Sequence, residues 1–203
     1  MNSPQKIARA AALVFVIIFL LGMSTELSIR PGMIVSGDAA STVRNIAASE
    51  ALFRLSLVSD LIRQALLMLL PLILYKLLKP VNKNTASLMV IFALVSVPIS
   101  MLNELNHFAA LLLSSGADCL TGFQADQLNA LVMFFLELRR HGTYIPQFFS
   151  LWVLLLGYLV FKSGFLPRIL GILLMLGGLC YTVQAVLFSL FPNFDAMILG
   201  LFA

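Results

Sequence analysis

Residues 86–113 read ASLMVIFALVSVPISMLNELNHFAALLL. At 1.5 Å per residue, a helix of this length crosses the ~30 Å of hydrocarbon in a bilayer. A barrel strand needs about ten residues with alternating polarity, and this run is far longer and does not alternate. The stretch therefore predicts a membrane-spanning α-helix. It carries four polar residues near one end, Asn103, Glu104, Asn106 and His107. Two features are thus set together: the helix is solvated by lipid, and part of it needs polar partners.

Similar apolar runs cover about Ile7–Ser28, Ala51–Leu78, Tyr144–Phe161 and Leu166–Phe191. A last run, Ala196–Ala203, is too short to span. The composition agrees with this reading. Of 203 residues, 61% are hydrophobic and 11% charged, and the mean hydropathy is +1.01. A soluble domain averages about 45–50% apolar and about 25% charged residues, so a soluble enzyme, a nucleic-acid module and a disordered chain are excluded. The net charge of +4 comes from scattered basic residues, which is no footprint for nucleic acid. The expected fold is an all-α transmembrane helix bundle of five full spans plus a partial sixth. It forms a single integral membrane domain over residues 1–203, without a soluble domain.

Basic residues in short loops orient such a bundle. With the amino terminus inside, the inner segments hold Lys6, Arg9, Lys76, Lys79, Lys83, Lys162 and Arg168, which include every lysine in the chain and no acid. The first run has the basic start of a signal peptide. Met23-Ser24-Thr25-Glu26 offers no small-x-small cleavage site, so an uncleaved anchor is expected. Counting Gln127–Leu138 as a span would put Lys162 and Arg168 outside, and that run is only about a dozen residues long.

Two outer segments predict short interfacial helices. Asp38 is placed to cap one that runs to Leu52. Asp126–Arg140 sets Leu128, Leu131, Val132, Phe135 and Leu138 at helical spacing.

Three strings, in chain order, resemble a known family. They are Gly37-Asp38-Ala39-Ala40 with Ser49-Glu50-Ala51-Leu52-Phe53-Arg54-Leu55, then Leu77-Leu78-Lys79-Pro80-Val81-Asn82-Lys83-Asn84, then the long string from Leu155 to Gly171 that contains Lys162-Ser163-Gly164-Phe165-Leu166-Pro167-Arg168. Together they resemble the bacterial membrane-protein family catalogued as domain of unknown function 4386. The resemblance implies a multi-pass fold of about six or more helices, a bacterial cytoplasmic (inner) membrane and a last helix cut short here. It implies no activity and no cofactor. The strings also have a physical reading. Pro80 stops a helix and the lysines hold its inner end, while Gly164 and Pro167 build a tight hairpin.

A charge in hydrocarbon costs about 2.5–3.5 kcal/mol even on the lenient insertion scale, so each intramembrane polar residue needs a reason. Asp60 lies nine residues from the start of its run at Ala51, and Glu104 nine residues before the end of its run at Leu113. Both carboxylates thus sit about 13 Å deep at the same end. Asp60, Arg63, Gln64, Asn103, Glu104, His107, Gln147 and Gln184 are the candidate ligand or ion cavity, open to the outer side. In the plainer alternative they form an ion-pair network that only fixes packing, with Arg63 or Arg54 reaching Glu104. Two Glu–His pairs one helical turn apart, Glu104 with His107 and Glu137 with His141, also suggest metal ligands, which Asp60 would join. Arginines nearby oppose a dication. Gly171, Gly177 and Gly178 offer a small-residue face for close helix packing, in this bundle or in a homo-oligomer. The chain has no Cys-x-x-Cys, His-Glu-x-x-His or nucleotide-binding loop. The expected function is binding or passage of a small polar ligand or ion by a non-enzymatic membrane protein. The alternatives are a structural or regulatory membrane subunit and a metal-dependent membrane enzyme.

Overall fold

The computed structural model describes residues 4–116, 120–142 and 148–191. The short run at 196–203 and Gln147 lie outside these residues. Those described form seven α-helices and no strand: α1 (Pro4–Met23), α2 (Ala39–Ala48), α3 (Glu50–Leu78), α4 (Lys83–Ser114), α5 (Ala125–Gly142), α6 (Phe148–Lys162) and α7 (Arg168–Leu190). Four helical stretches among them are long and apolar enough to cross a membrane: Gln5–Ile29, Glu50–Leu78, Lys83–Ser114 and Arg168–Leu187. The described part of the run before the final hairpin, Phe149–Lys162, is apolar but shorter.

The chain divides into two compact units. The divisions inside α3 and α4 fall at Pro71 and Pro98, the positions in these long helices that lack a backbone N–H donor.

The unit made of residues 1–8, 71–97 and 144–203 includes the α6–α7 hairpin. Gly164 turns the hairpin with φ of 72°, a conformation that costs glycine nothing. The two helices touch backbone to backbone. A Cβ on Gly171 would lie 2.6 Å from the Phe161 nitrogen and 2.8 Å from the Gly157 oxygen. A Cβ on Gly178 would meet Leu154 Cγ at 2.8 Å. Two of the three glycines that suggested an oligomer face are therefore occupied by α6 of the same chain. Gly177 has nothing within 4 Å. The obstacle at Gly171 is backbone, which cannot rotate away, so Gly171→Val is expected to lower the melting temperature markedly. Overpacking of this kind costs about 1–3 kcal/mol. Gly177→Val is the matched control, and little change is expected there.

The other unit comprises residues 9–70 and 98–143. α1 runs on as a π-helix, Ser24–Ile29, closed by the Arg30 N–H donating to the Thr25 oxygen at 3.1 Å. α2 is capped by Asp38, whose carboxylate accepts from the Ser41 hydroxyl at 2.6 Å and the Ser41 N–H at 2.9 Å. The bond from the Ser41 hydroxyl, chiefly, holds this carboxyl below its ordinary range. The cap is therefore intact above the usual carboxylate pKa and is lost as the pH falls through the lowered value. Thr42, wholly buried, ties α2 back to the preceding turn by accepting from the Val35 N–H at 2.9 Å. An apolar core joins Met33, Ile46, Phe53, Leu57, Ala110, Leu111, Val132 and Leu136 from the π-helical turn's sequel, α2, α3, α4 and α5.

α5 buries Val132, Leu136 and Arg139, spaced i, i+4, i+7 along one face. This corrects the expected stripe: Leu138 is exposed, and Leu131 and Phe135 are half-buried. The charged Arg139 takes the place in line that an apolar residue would have filled.

Candidate functional site

Asp60 is completely buried on α3. Its Oδ1 accepts from Arg63 Nη2 at 3.0 Å and Nε at 3.2 Å. Its Oδ2 accepts from Arg139 Nη2 at 3.1 Å and from Arg30 Nη2. Glu104 on α4 faces Arg139 with both oxygens, Oε2 taking Nε and Oε1 taking Nη2, each at 3.1 Å. This two-bond geometry is the strong form of a guanidinium–carboxylate pair. Arg30 completes the group by pairing with Glu26, one turn earlier and on the exposed side. Four segments far apart in the chain thus supply one ion cluster: residues 26–30, α3, α4 and α5.

The neighbours hold these charges in place. The Asn103 amide donates to the Arg139 carbonyl at 2.8 Å, and Asn106 donates to Asn103 Oδ1 at 3.0 Å. α4 thus meets a backbone carbonyl near the end of α5. Gly142 permits the approach, because a Cβ there would lie 2.2 Å from Asn103 Oδ1. His107, 1% exposed, packs edge-on against Phe53 with ring centroids 4.4 Å apart. Its Nδ1 is 3.6 Å from Glu104 Oε2, too long for a hydrogen bond. Gln64 is buried one turn beyond Asp60.

The cluster therefore brings together Asp60, Arg63, Asn103, Glu104 and His107, with Gln64 beside them. It adds Arg30 and Arg139, which are not among the candidates read from the sequence. Arg139, not Arg63 or Arg54, reaches Glu104. Arg54 pairs instead with Glu50 on the exposed face of α3. Gln184 is exposed and belongs to the other unit.

The profile described as domain of unknown function (DUF4386) matches residues 10–203. The chain belongs to the DUF4386 family. No curated protein and no solved structure matches it.

Could the site hold a metal ion? One ligand atom each from Asp60, Glu104 and His107 lies within 4.8 Å of the others, close enough for one cation. The donor set does not fit. All four carboxylate oxygens already accept guanidinium protons, and a dication would face three arginines. Nor does α5 carry Glu137 and His141 into the group. They sit together near its end, both with partly exposed side chains, and Glu137 Oε2 lies 2.9 Å from Arg140 Nε and 3.4 Å from His141 Nε2.

Beside the cluster is a cavity of about 220 Å³, lined in part by Arg30, His107, Leu136, Arg139 and Arg140. Two buried polar atoms of its lining residues, Arg30 Nε and His107 Nδ1, have no hydrogen-bond partner. Buried polar groups are nearly always satisfied, so such orphans mark a place where a partner belongs.

Proposed function

We propose that this DUF4386 protein is a non-enzymatic membrane protein of five full spans, with its amino terminus in the cytoplasm, whose buried charge cluster walls a binding cavity for a small polar ligand. The run at Tyr144–Phe161 is counted as a span, and α2 and α5 as interfacial helices. The lysine distribution puts the cavity on the non-cytoplasmic side, and the family resemblance suggests a bacterial inner membrane. One observation carries the binding reading: a cavity of about 220 Å³ lined by Arg30, His107 and Arg139 beside the buried ion cluster. The rigidity of the cluster suits such a role, since a ligand then meets preorganised donors.

A ligand that binds only the folded state stabilises it by about 2.7 kcal/mol at a hundredfold excess over Kd. Detergent-solubilised protein screened against amino acids, organic acids, phosphate, sugars and inorganic ions is expected to show at least one such rise in melting temperature. Ile34→Trp puts a larger apolar side chain on the cavity wall without removing a charge, and it is expected to abolish that rise while folding normally. A second reading, in which the cluster only fixes packing, draws support from the full engagement of both carboxylates. It expects no solute to stabilise the protein and no difference in Ile34→Trp.

A further inference from the structure

A second concavity, of about 290 Å³, is lined by α3 and α4, with Arg54, Leu57, Val58 and Leu61 on one side and Leu105 and Phe108 on the other. Val58, Leu105 and Phe108 are half exposed or more, so the groove opens on the apolar surface that faces lipid. The length of α3 sets its depth. Its 29 residues measure about 43 Å, which matches a bilayer with its headgroup layers, about 40–45 Å. Arg54 follows the start of α3 by one turn, so it lies about 6 Å in, where headgroups meet hydrocarbon. Leu57, Val58 and Leu61 follow at about 10–17 Å, within the hydrocarbon. Two charged residues belong to the wall, Arg54 and Glu104. Both oxygens of Glu104 are held by Arg139. Arg54 is held by Glu50, in a pair whose side chains are 57% and 44% exposed. Such a surface pair is worth at most about 1 kcal/mol, so its guanidinium is readily exchanged to another anion.

We propose that this groove seats one acyl chain of an anionic phospholipid, whose phosphate takes the Arg54 guanidinium. The charge at the headgroup level matches a phosphate, and the apolar wall that continues inward matches the chain attached to it. A soluble anion would leave that wall uncovered. A helix from a second copy needs more room, because one turn fills a cylinder about 10 Å across and 5.4 Å long. The seated chain also keeps water from Glu104, and so preserves the low dielectric in which the Glu104–Arg139 pair is strong. The groove is separate from the cavity beside the ion cluster, and the lipid site stands whether or not that cavity binds a ligand.

The test follows thermal unfolding in neutral detergent while phosphatidylglycerol, or phosphatidylcholine with the same chains, is titrated into mixed micelles. Glycerol phosphate at constant ionic strength is the soluble arm, and no stabilisation by it is expected. Phosphatidylglycerol is expected to reach half-maximal stabilisation at a mole fraction about two- to fivefold lower than phosphatidylcholine, the size of one exposed charge interaction. Arg54→Gln is expected to erase that difference and to leave the response to phosphatidylcholine as it was. An Arg54 with a merely structural role would shift the melting temperature and leave the lipid preference intact. Val58→Trp puts a large side chain on the groove wall and is expected to weaken the response to both lipids. Equal midpoints for the two lipids, a preference that survives in Arg54→Gln, or stabilisation by glycerol phosphate equal to that by the lipid overturns the proposal. So does a dimer that Val58→Trp dissociates, which would assign the groove to a second copy of the chain.

Discussion

Asp60→Ala is expected to prevent the protein from accumulating in folded form, or to lower its stability by about 3–5 kcal/mol, the usual cost of removing one partner from a buried ion group. Asp60 is the acceptor shared by Arg30, Arg63 and Arg139. Without it Arg139 keeps Glu104 and Arg30 keeps Glu26, but Arg63 loses its carboxylate. Native proteins hold only about 5–15 kcal/mol in reserve, so this single change consumes much of the margin. Asp60→Asn preserves the shape and one acceptor, and is expected to fall between. Glu50→Ala removes a carboxylate from a pair whose side chains are 57% and 44% exposed, and should cost less than about 1 kcal/mol. Thermal unfolding in detergent, followed by fluorescence-detected size exclusion, ranks the three variants. Equal losses for Asp60→Ala and Glu50→Ala would contradict the buried cluster.

The second large effect concerns α5. Arg139→Met should cost about 3–5 kcal/mol, because Glu104 then loses the partner of both its oxygens and stays buried. The double variant Arg139→Met/Glu104→Gln removes the stranded charge. It is expected to be more stable than the sum of the two single losses by at least about 1 kcal/mol, as found for groups in direct contact. The methionine follows Val132 and Leu136 on the buried face of α5, so packing is retained. Additive losses would mean that Arg139 and Glu104 do not depend on each other.

The helices were largely legible in the sequence because lipid imposes a simple rule: every span must satisfy its backbone internally and show apolar side chains outward. The runs beginning near Ala51 and Ala86 match α3 and α4 closely, and the Asp38 cap of α2 is present, although that helix ends at Ala48 rather than Leu52. Local charge pairing was legible too, since Asp60 and Arg63 lie one turn apart on one helix. What escaped was the meeting of distant segments. Arg30 and Arg139 sit in polar surroundings of ordinary composition, and nothing in their neighbourhood says that a carboxylate from another helix awaits them. The available signal was register. Arg139 continues the Val132–Leu136 line, and a charge in a buried line implies a buried partner. The reading by helical spacing set the stripe of α5 through Leu128, Leu131, Val132, Phe135 and Leu138, and passed over Leu136 and Arg139. The glycines of α7 showed the same limit, because spacing reveals a small face but not which helix covers it.

In the proposed reading, an aqueous cavity reaches the buried cluster from the non-cytoplasmic side. The direct measurement is cysteine accessibility in intact cells. Cys119 and Cys180 are first replaced by serine, and Ile34→Cys is then introduced on the cavity wall. A membrane-impermeant maleimide is expected to label this cysteine without permeabilisation, and Leu136→Cys, on the same wall, more slowly because it is more buried. Labelling of both only after the cells are opened, or of neither in denaturant-sensitive fashion, would contradict the account.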